Sequence, residues 1–201
     1  ISHYDSIMEK VEWADSVIVG PGLGRNKSTQ LLIKKLVESI AKPLILDADG
    51  LFPYSDALNE LSSRQTPLII TPHFGEFSRL INIAVEDIIS NFPKVMENTL
   101  KLFDHTLLIK QVPICTLNKN KAVVNIAGNS GLATAGTGDI LSGILASFLS
   151  TGLNSFDAAT IGAFVQGKSS DELLSRKGMR GQIASDLLET IPSVLSKYEL
   201  S

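Results

Sequence analysis

Four short aliphatic runs in this 201-residue chain each end in residues able to do chemistry. Ser16–Gly20 runs into Gly20-Pro21-Gly22-Leu23-Gly24. Pro43–Asp47 ends in Asp47-Ala48-Asp49-Gly50, and Pro67–Thr71 in Thr71-Pro72-His73-Phe74-Gly75-Glu76. Thr106–Lys110 ends in its lysine. A fifth stretch, Gly128–Gly143 (GNSGLATAGTGDILSG), feeds closely spaced glycines into an apolar helical run and carries Asp139. Backbone N–H groups at a helix start, reinforced by the helix dipole, form an anion site. Glycines keep such a backbone free of side-chain crowding. A carboxylate beside a bound phosphoryl group can take the proton of an attacking hydroxyl, which grows more acidic as the new bond forms. Asp139 is therefore the candidate base; the plainer reading makes it a helix cap, with the glycines serving helix packing.

The other candidates carry open alternatives. Gly20–Gly24 lets a backbone approach a ligand or is an ordinary tight turn; it lacks the third glycine of a dinucleotide fingerprint. Asp47 and Asp49 lie two apart, on one side of an extended segment. They hold magnesium through water, accept hydrogen bonds from a ligand, or cap the next helix. His73 sits in a turn after Pro72 and meets a ligand phosphate or amide, or is structural. Glu76 favours its helix start through the dipole. Lys110 is a solvated strand end or a phosphate contact. GxxxxGK[ST] is absent, so the glycine run is no Walker loop.

The elements that must position these residues alternate. Aliphatic strands, apolar throughout rather than alternating, suit strands covered on both faces. Helical patterns lie between them, at Asn26–Ala41, Asp56–Ser62, Gly75–Ile81 and Pro93–Phe103. Strand and helix in turn predict a parallel α/β sheet, where ligands bind beyond the carboxyl ends of the strands. Ile114–Leu117 and Ala122–Ile126 flank Asn118–Lys121 as a hairpin. Three helices follow, at Asp139–Ser150, Phe156–Ser175 and Ile183–Ser196.

Composition narrows the classes. The net charge is −3, from 18 basic and 21 acidic residues in no like-charge block, so neither a nucleic-acid nor a membrane surface is expected. The single cysteine, Cys115, excludes an internal disulfide and gives no zinc framework. A buried, inert thiol and a reducing, cytoplasmic setting are the expectation. No signal peptide is visible, and the most apolar stretch, Ile140–Leu149, is too short to span a membrane.

In order along the chain, GPGLG, DADGL, TPHFGEFSRL, the Lys110 strand, GNSGLATAGTGDILSGILA and RGQIASDLLETIP resemble the ADP/ATP-dependent NAD(P)H-hydrate dehydratases. These form the carbohydrate-kinase-like branch of the ribokinase-like superfamily. GTGD before a helix is common to the superfamily; GNSGLATAGTGD together with TPHFGE points to the branch. The resemblance spans Val17 to Pro192. It implies a three-layer α/β fold with a mostly parallel central sheet and helices on both faces. It also implies repair of the S-form hydrates of NADH and NADPH. The ring hydroxyl is phosphorylated by ADP or ATP with magnesium, and phosphate is then eliminated.

Carried over residue by residue, Asp139 is the base, and the amides of Ala135–Gly138 are the anion hole, with Gly136 and Gly138 catalytic. Lys110, Gln111, Val112, Pro113 and Ile114 meet the nucleotide. So do Asn129, Ser130, Gly131, Leu132, Ala133, Thr134, Ala135, Thr137 and Gly138. Gly22, Gly24, Asp47, Asp49, His73, Gly75 and Glu76, with Asp139, face the hydrate. No residue is assigned as a metal ligand, and a homo-oligomer is expected. Lys110-Gln111 stands where the family usually has Lys-Gly, and His73-Phe74-Gly75-Glu76 where it often has His-Pro-Gly-Glu. Family members carry a further section before the GPGLG strand, so residues 1–201 are expected to form a single catalytic domain lacking that section. Two other readings share the motifs: a kinase for a vitamin-precursor alcohol or sugar, and a nucleotide-binding module without catalysis.

Overall fold

A computed structural model describes residues 3–198. Six strands form one sheet in chain order: Val17–Val19 (β1), Leu44–Leu46 (β2), Leu68–Ile70 (β3), Thr106–Ile109 (β4), Ile114–Leu117 (β5) and Ala122–Asn125 (β6). The first four are parallel; β5 and β6 are antiparallel and make the expected hairpin. Val19 is level with Leu46, and Leu46 with Ile70, so the carboxyl ends of neighbouring strands share one edge.

Successive strand residues point to opposite faces, and both faces are covered. Leu44, Leu46, Leu68, Ile70, Leu107 and Ile109 join one core with α1 (Tyr4–Trp13), α2 (Lys27–Ser39), α3 (Phe74–Ile81), α4 (Val85–Ser90) and α5 (Phe92–Leu102). Ile45, Ile69 and Leu108 join the other, under α6 (Thr137–Ser150) and α7 (Ser155–Lys177). The last helix, α8 (Ala184–Ser196), packs against α7 and α6. Small residues Ala158, Ala159 and Ala163 bring α7 close to the sheet. The result is the expected α/β/α sandwich with a mixed, mostly parallel sheet.

Several expectations need correction. β1 is an edge strand and Ile18 is 37% exposed, so not every parallel strand is covered on both faces. The helix expected at Asp56–Ser62 is instead a 3₁₀ segment, Leu58–Ser63, and another, Ala48–Tyr54, comes before it unexpected. Asp56, at φ +56, lies between them, and Pro53 removes an N–H from the earlier one. Helix α6 starts at Thr137, two residues early, because Gly136 takes φ +88 at its N-cap. Helices α1 and α4 were not expected; each buries a single residue, Val11 and Ile88, too little to write a periodic pattern. Among the described residues no helix is long and apolar enough to cross a membrane.

Candidate active site

The loops after β1 and β2 are pressed together by two glycines. A Cβ on Gly20 would lie 1.7 Å from the Asp47 carbonyl oxygen, and one on Gly50 would lie 2.5 Å from that of Val19. Gly22 and Gly24 differ: both have positive φ, yet an added Cβ would meet nothing within 4 Å. Their glycines serve the backbone turn and leave its outer side open. Asp49 ties that turn down, accepting from the Gly24 amide at 2.9 Å and from Arg25 Nε at 2.6 Å. The Arg25 hydrogen bond, aided by the Gly24 amide and opposed by burial, lowers the Asp49 pKa.

Asp47 and Asp49 do not share a side. Ala48 takes φ +50 and the chain turns at once into a 3₁₀ segment, so no extended stretch holds the two in line. Asp47 points inward, with its side chain 2% exposed. Its Oδ1 accepts from Lys110 Nζ at 2.5 Å and from the Ala48 amide at 2.8 Å; its Oδ2 accepts from Ser142 Oγ at 3.0 Å. In this structure Asp47 is engaged in holding Lys110 and Ser142. One of the alternatives does hold: it caps the segment that follows.

His73 is the N-cap of α3. Its Nδ1 accepts from the amides of Gly75 and Glu76, and Glu76 Oε2 accepts from the His73 amide at 3.0 Å. This reciprocal capping box satisfies amides left over at the helix start. A Cβ on Gly75 would sit 3.1 Å from His73 Cε1, a tight contact that the ring would have to relieve by shifting. Glu76 is buried and its carboxylate closes the cap. The imidazole is 55% exposed, with its Nε2 3.5 Å from Glu76 Oε1. A backbone bridge sets His73 beside Lys110.

The N-terminal turn of α6 rises over this row. The Thr137 amide bends back to the Thr134 carbonyl, but the amides of Ala135, Gly136, Gly138 and Asp139 find no acceptor among the described residues. A Cβ on Gly138 would sit 3.5 Å from Lys110 Nζ and 3.9 Å from Asp47 Oδ2, ordinary contact distances. The protein by itself therefore does not require glycine at 138. Asp139 is exposed in the first turn, one residue further on, with no side-chain hydrogen bond among the described residues.

Beside this turn opens a cleft of about 200 Å³. Lys110, Gln111, Val112, Pro113 and Ile114 form one wall; Leu132, Ala133, Thr137 and Gly138 form another. Asp139 lies off these walls, on a separate groove running along α6 and α8. Asn129, Ser130, Gly131, Thr134 and Ala135 do not line the cleft. Asn129 and Gly131 are buried behind it, and a Cβ on Gly131 would lie 2.6 Å from Gln182 Cδ.

Sequence reasoning missed the residues that brace the loop. Asp171 accepts from the Gly128 amide and Asn129 Nδ2 at 3.0 and 3.2 Å. Gln182, 3% exposed, accepts from Ser170 Oγ and donates to the carbonyls of Ser170 and Gly178. Thr134 Oγ1 reaches the Gln182 carbonyl. Gln166 lines the cleft and donates to the Thr137 carbonyl at 2.6 Å. Gln182 stands in the RGQIAS stretch, a visible signal; Gln166 and Asp171 sit inside a long helical pattern that gives none.

The comparisons agree with this geometry. Residues 2–193 match a family profile described as NAD(P)H-hydrate dehydratase (Carb_kinase). The chain is similar to the bifunctional NAD(P)H-hydrate repair enzymes Nnr of Moorella thermoacetica, 33% identical over 97% of this chain, and of Escherichia coli K12, 34% identical over 96%. It spans 37% and 36% of those two proteins, so just over a third of their length. Among solved structures it resembles the ADP/ATP-dependent NAD(P)H-hydrate dehydratase of Bacillus subtilis co-crystallised with ATP/Mg2+. The TM-score is 0.79 at 23% identity, covering 94% of this chain and 69% of that one. A hydroxyethylthiazole kinase from Pyrococcus horikoshii gives a TM-score of 0.72 at 18% identity, covering 96% and 75%. At these identities the structural likeness establishes a ribokinase-like fold.

Proposed function

The chain belongs to the NAD(P)H-hydrate dehydratase family, and on that premise we propose that it dehydrates the S-form hydrates of NADH and NADPH at the expense of ADP or ATP. The observation that carries the reading is the N-terminal turn of α6. It offers four amides without protein acceptors, a glycine the protein does not itself need, and an exposed carboxylate one residue on.

Lys110 and the Gln111–Ile114 turn take the nucleotide, against Leu132, Ala133 and Thr137. The amides of Ala135, Gly136, Gly138 and Asp139 hold the phosphoryl group in transit, pre-aimed where charge develops. Asp139 accepts the proton of the ring hydroxyl. The hydroxyl oxygen bonds to phosphorus as the bond to the nucleotide's bridging oxygen breaks, leaving AMP from ADP or ADP from ATP. Phosphate then departs with its C–O bond, a proton leaves the neighbouring ring carbon, and the dihydronicotinamide is restored. Gly22, Gly24 and the exposed imidazole of His73 present the surface for the hydrate, while Asp49 holds the glycine turn in shape.

Magnesium fits the donor set in one way. No three His, Cys, Asp or Glu side chains cluster among the described residues, and Asp47 is engaged with Lys110 and Ser142. A magnesium ion would be held chiefly by the nucleotide's phosphates, as Mg²⁺ commonly is, and would offset their charge beside Lys110.

We read the chain as one ribokinase-like catalytic domain, and the open edge of β1 leaves room for the further section that family members carry before this strand. A homo-oligomer and a cytoplasmic setting complete the proposal; light scattering tests the first.

Asp139→Asn tests the assigned base. The side chain makes no hydrogen bond or ion pair among the described residues, so folding and nucleotide binding are expected to stay. Turnover of the hydrate is expected to fall about 10²–10⁴-fold, the range of general base catalysis. Full activity in this variant sinks the assignment.

A further inference from the structure

Lys110 occupies an odd place for a cation. A Cβ on Gly138 would come within 3.5 Å of its Nζ, so the ammonium lies beside the first turn of α6. That is the positive end of the helix, where a cation is repelled and an anion attracted. Its side chain is only 21% exposed, so water does little to compensate. What holds it is the Asp47 carboxylate at 2.5 Å, itself anchored by Ser142 Oγ and the Ala48 amide. The anchor is also rigid. Asp47 follows a strand that is itself wholly buried, Ser142 stands one turn along α6 from Gly138, and a Cβ on Gly20 would overlap the Asp47 carbonyl.

We propose that Asp47 is a positioning residue for phosphoryl transfer: it holds Lys110 Nζ at the N-terminal turn of α6, so that a nucleotide's phosphates meet an ammonium already aimed and amides already unpaired. This rests on the reading above that the turn receives phosphates. A free lysine loses side-chain rotamer freedom when fixed; a lysine pre-fixed by a carboxylate has lost that freedom before the phosphate arrives. Without Asp47 the ammonium is a partly buried cation lacking its partner at the wrong end of a helix, and it turns away towards solvent.

The test is a double-mutant cycle on ADP binding to the full chain, read by calorimetry with magnesium present, using Asp47→Asn, Lys110→Met and the pair. Each single substitution is expected to weaken ADP about tenfold, and the pair no more than either alone, because Asp47 acts only through Lys110. Ser142→Ala, which frees one Asp47 oxygen and leaves the ion pair, is expected to weaken ADP about threefold in the parent and not at all beside Lys110→Met. It keeps the test decisive if Asp47→Asn does not fold. Factors that multiply to about a hundredfold overturn the proposal, as does unchanged or tighter binding in Asp47→Asn, or a parent protein that binds neither ADP nor ATP. No hydrate enters this experiment. A parent that binds ADP with a coupled pair yet leaves the hydrate untouched refutes the dehydratase reading alone. A parent that dehydrates the hydrate with an uncoupled pair refutes only the role of Asp47.

Discussion

Gly138 can be judged by what surrounds it. In the resting protein an alanine there would make ordinary contacts with Lys110 and Asp47, and it would not need an unusual φ. Alanine is also the better helix former, by about 1 kcal/mol in a helix interior. Gly138→Ala is therefore expected to melt at or slightly above the parent's temperature while losing activity about 10²-fold or more, because the methyl stands where the phosphoryl group must approach the amides. A variant that loses stability and activity together would show a packing glycine instead. The residue scale is also where sequence reasoning was least complete. That Lys110, Asp139 and the glycine run come to one helix start was legible, because each ends a strand or opens a helix in the sequence. The directions of Asp47 and Glu76 were not, since Ala48 reverses the chain between two aspartates and a capping box consumes the glutamate. Both outcomes depend on local dihedrals that residue identity leaves open.

At the scale of elements the six strands and the hairpin were readable, because buried aliphatic runs between glycine and proline punctuation have few other uses. The 3₁₀ segments after β2 and the early start of α6 were not readable, because each follows from a positive φ at one residue: Ala48, Asp56 or Gly136. The two kinds of glycine at the end of β1 make the point testable. Gly20→Ala adds a Cβ 1.7 Å from a backbone oxygen at φ +137, a clash that neither loop can relieve without parting from the other. It is expected to cost more than about 4 kcal/mol, the range reserved for core disruption, or to abolish cooperative unfolding. Gly22→Ala meets open space and carries only the left-handed penalty, about 1–2 kcal/mol. Chemical denaturation separates the two; similar losses would show that the β1 and β2 loops are not docked as described. The brace behind the anion loop belongs to this scale too. Asp171 and Gln182 come from α7 and the segment before α8, more than forty residues beyond the loop they hold, and no local pattern announces such a pairing.

Over the whole molecule, the sheet brings one edge of four strand ends under one helix start, and the chemistry follows from that placement. A cleft for the nucleotide lies on one side of the α6 turn. Asp139 lies off that cleft, on the groove between α6 and α8. A kinase of the same fold would use the same halves but leave its phosphate on carbon. The direct measurement is therefore one of fate: the protein is given S-form NADH hydrate, magnesium, and ADP or ATP, and NADH absorbance is followed alongside free phosphate. The account predicts that absorbance returns with one free phosphate released per NADH formed and one nucleotide shortened by one phosphate. Phosphate retained on the ring, or no recovery of NADH with either nucleotide, would contradict it.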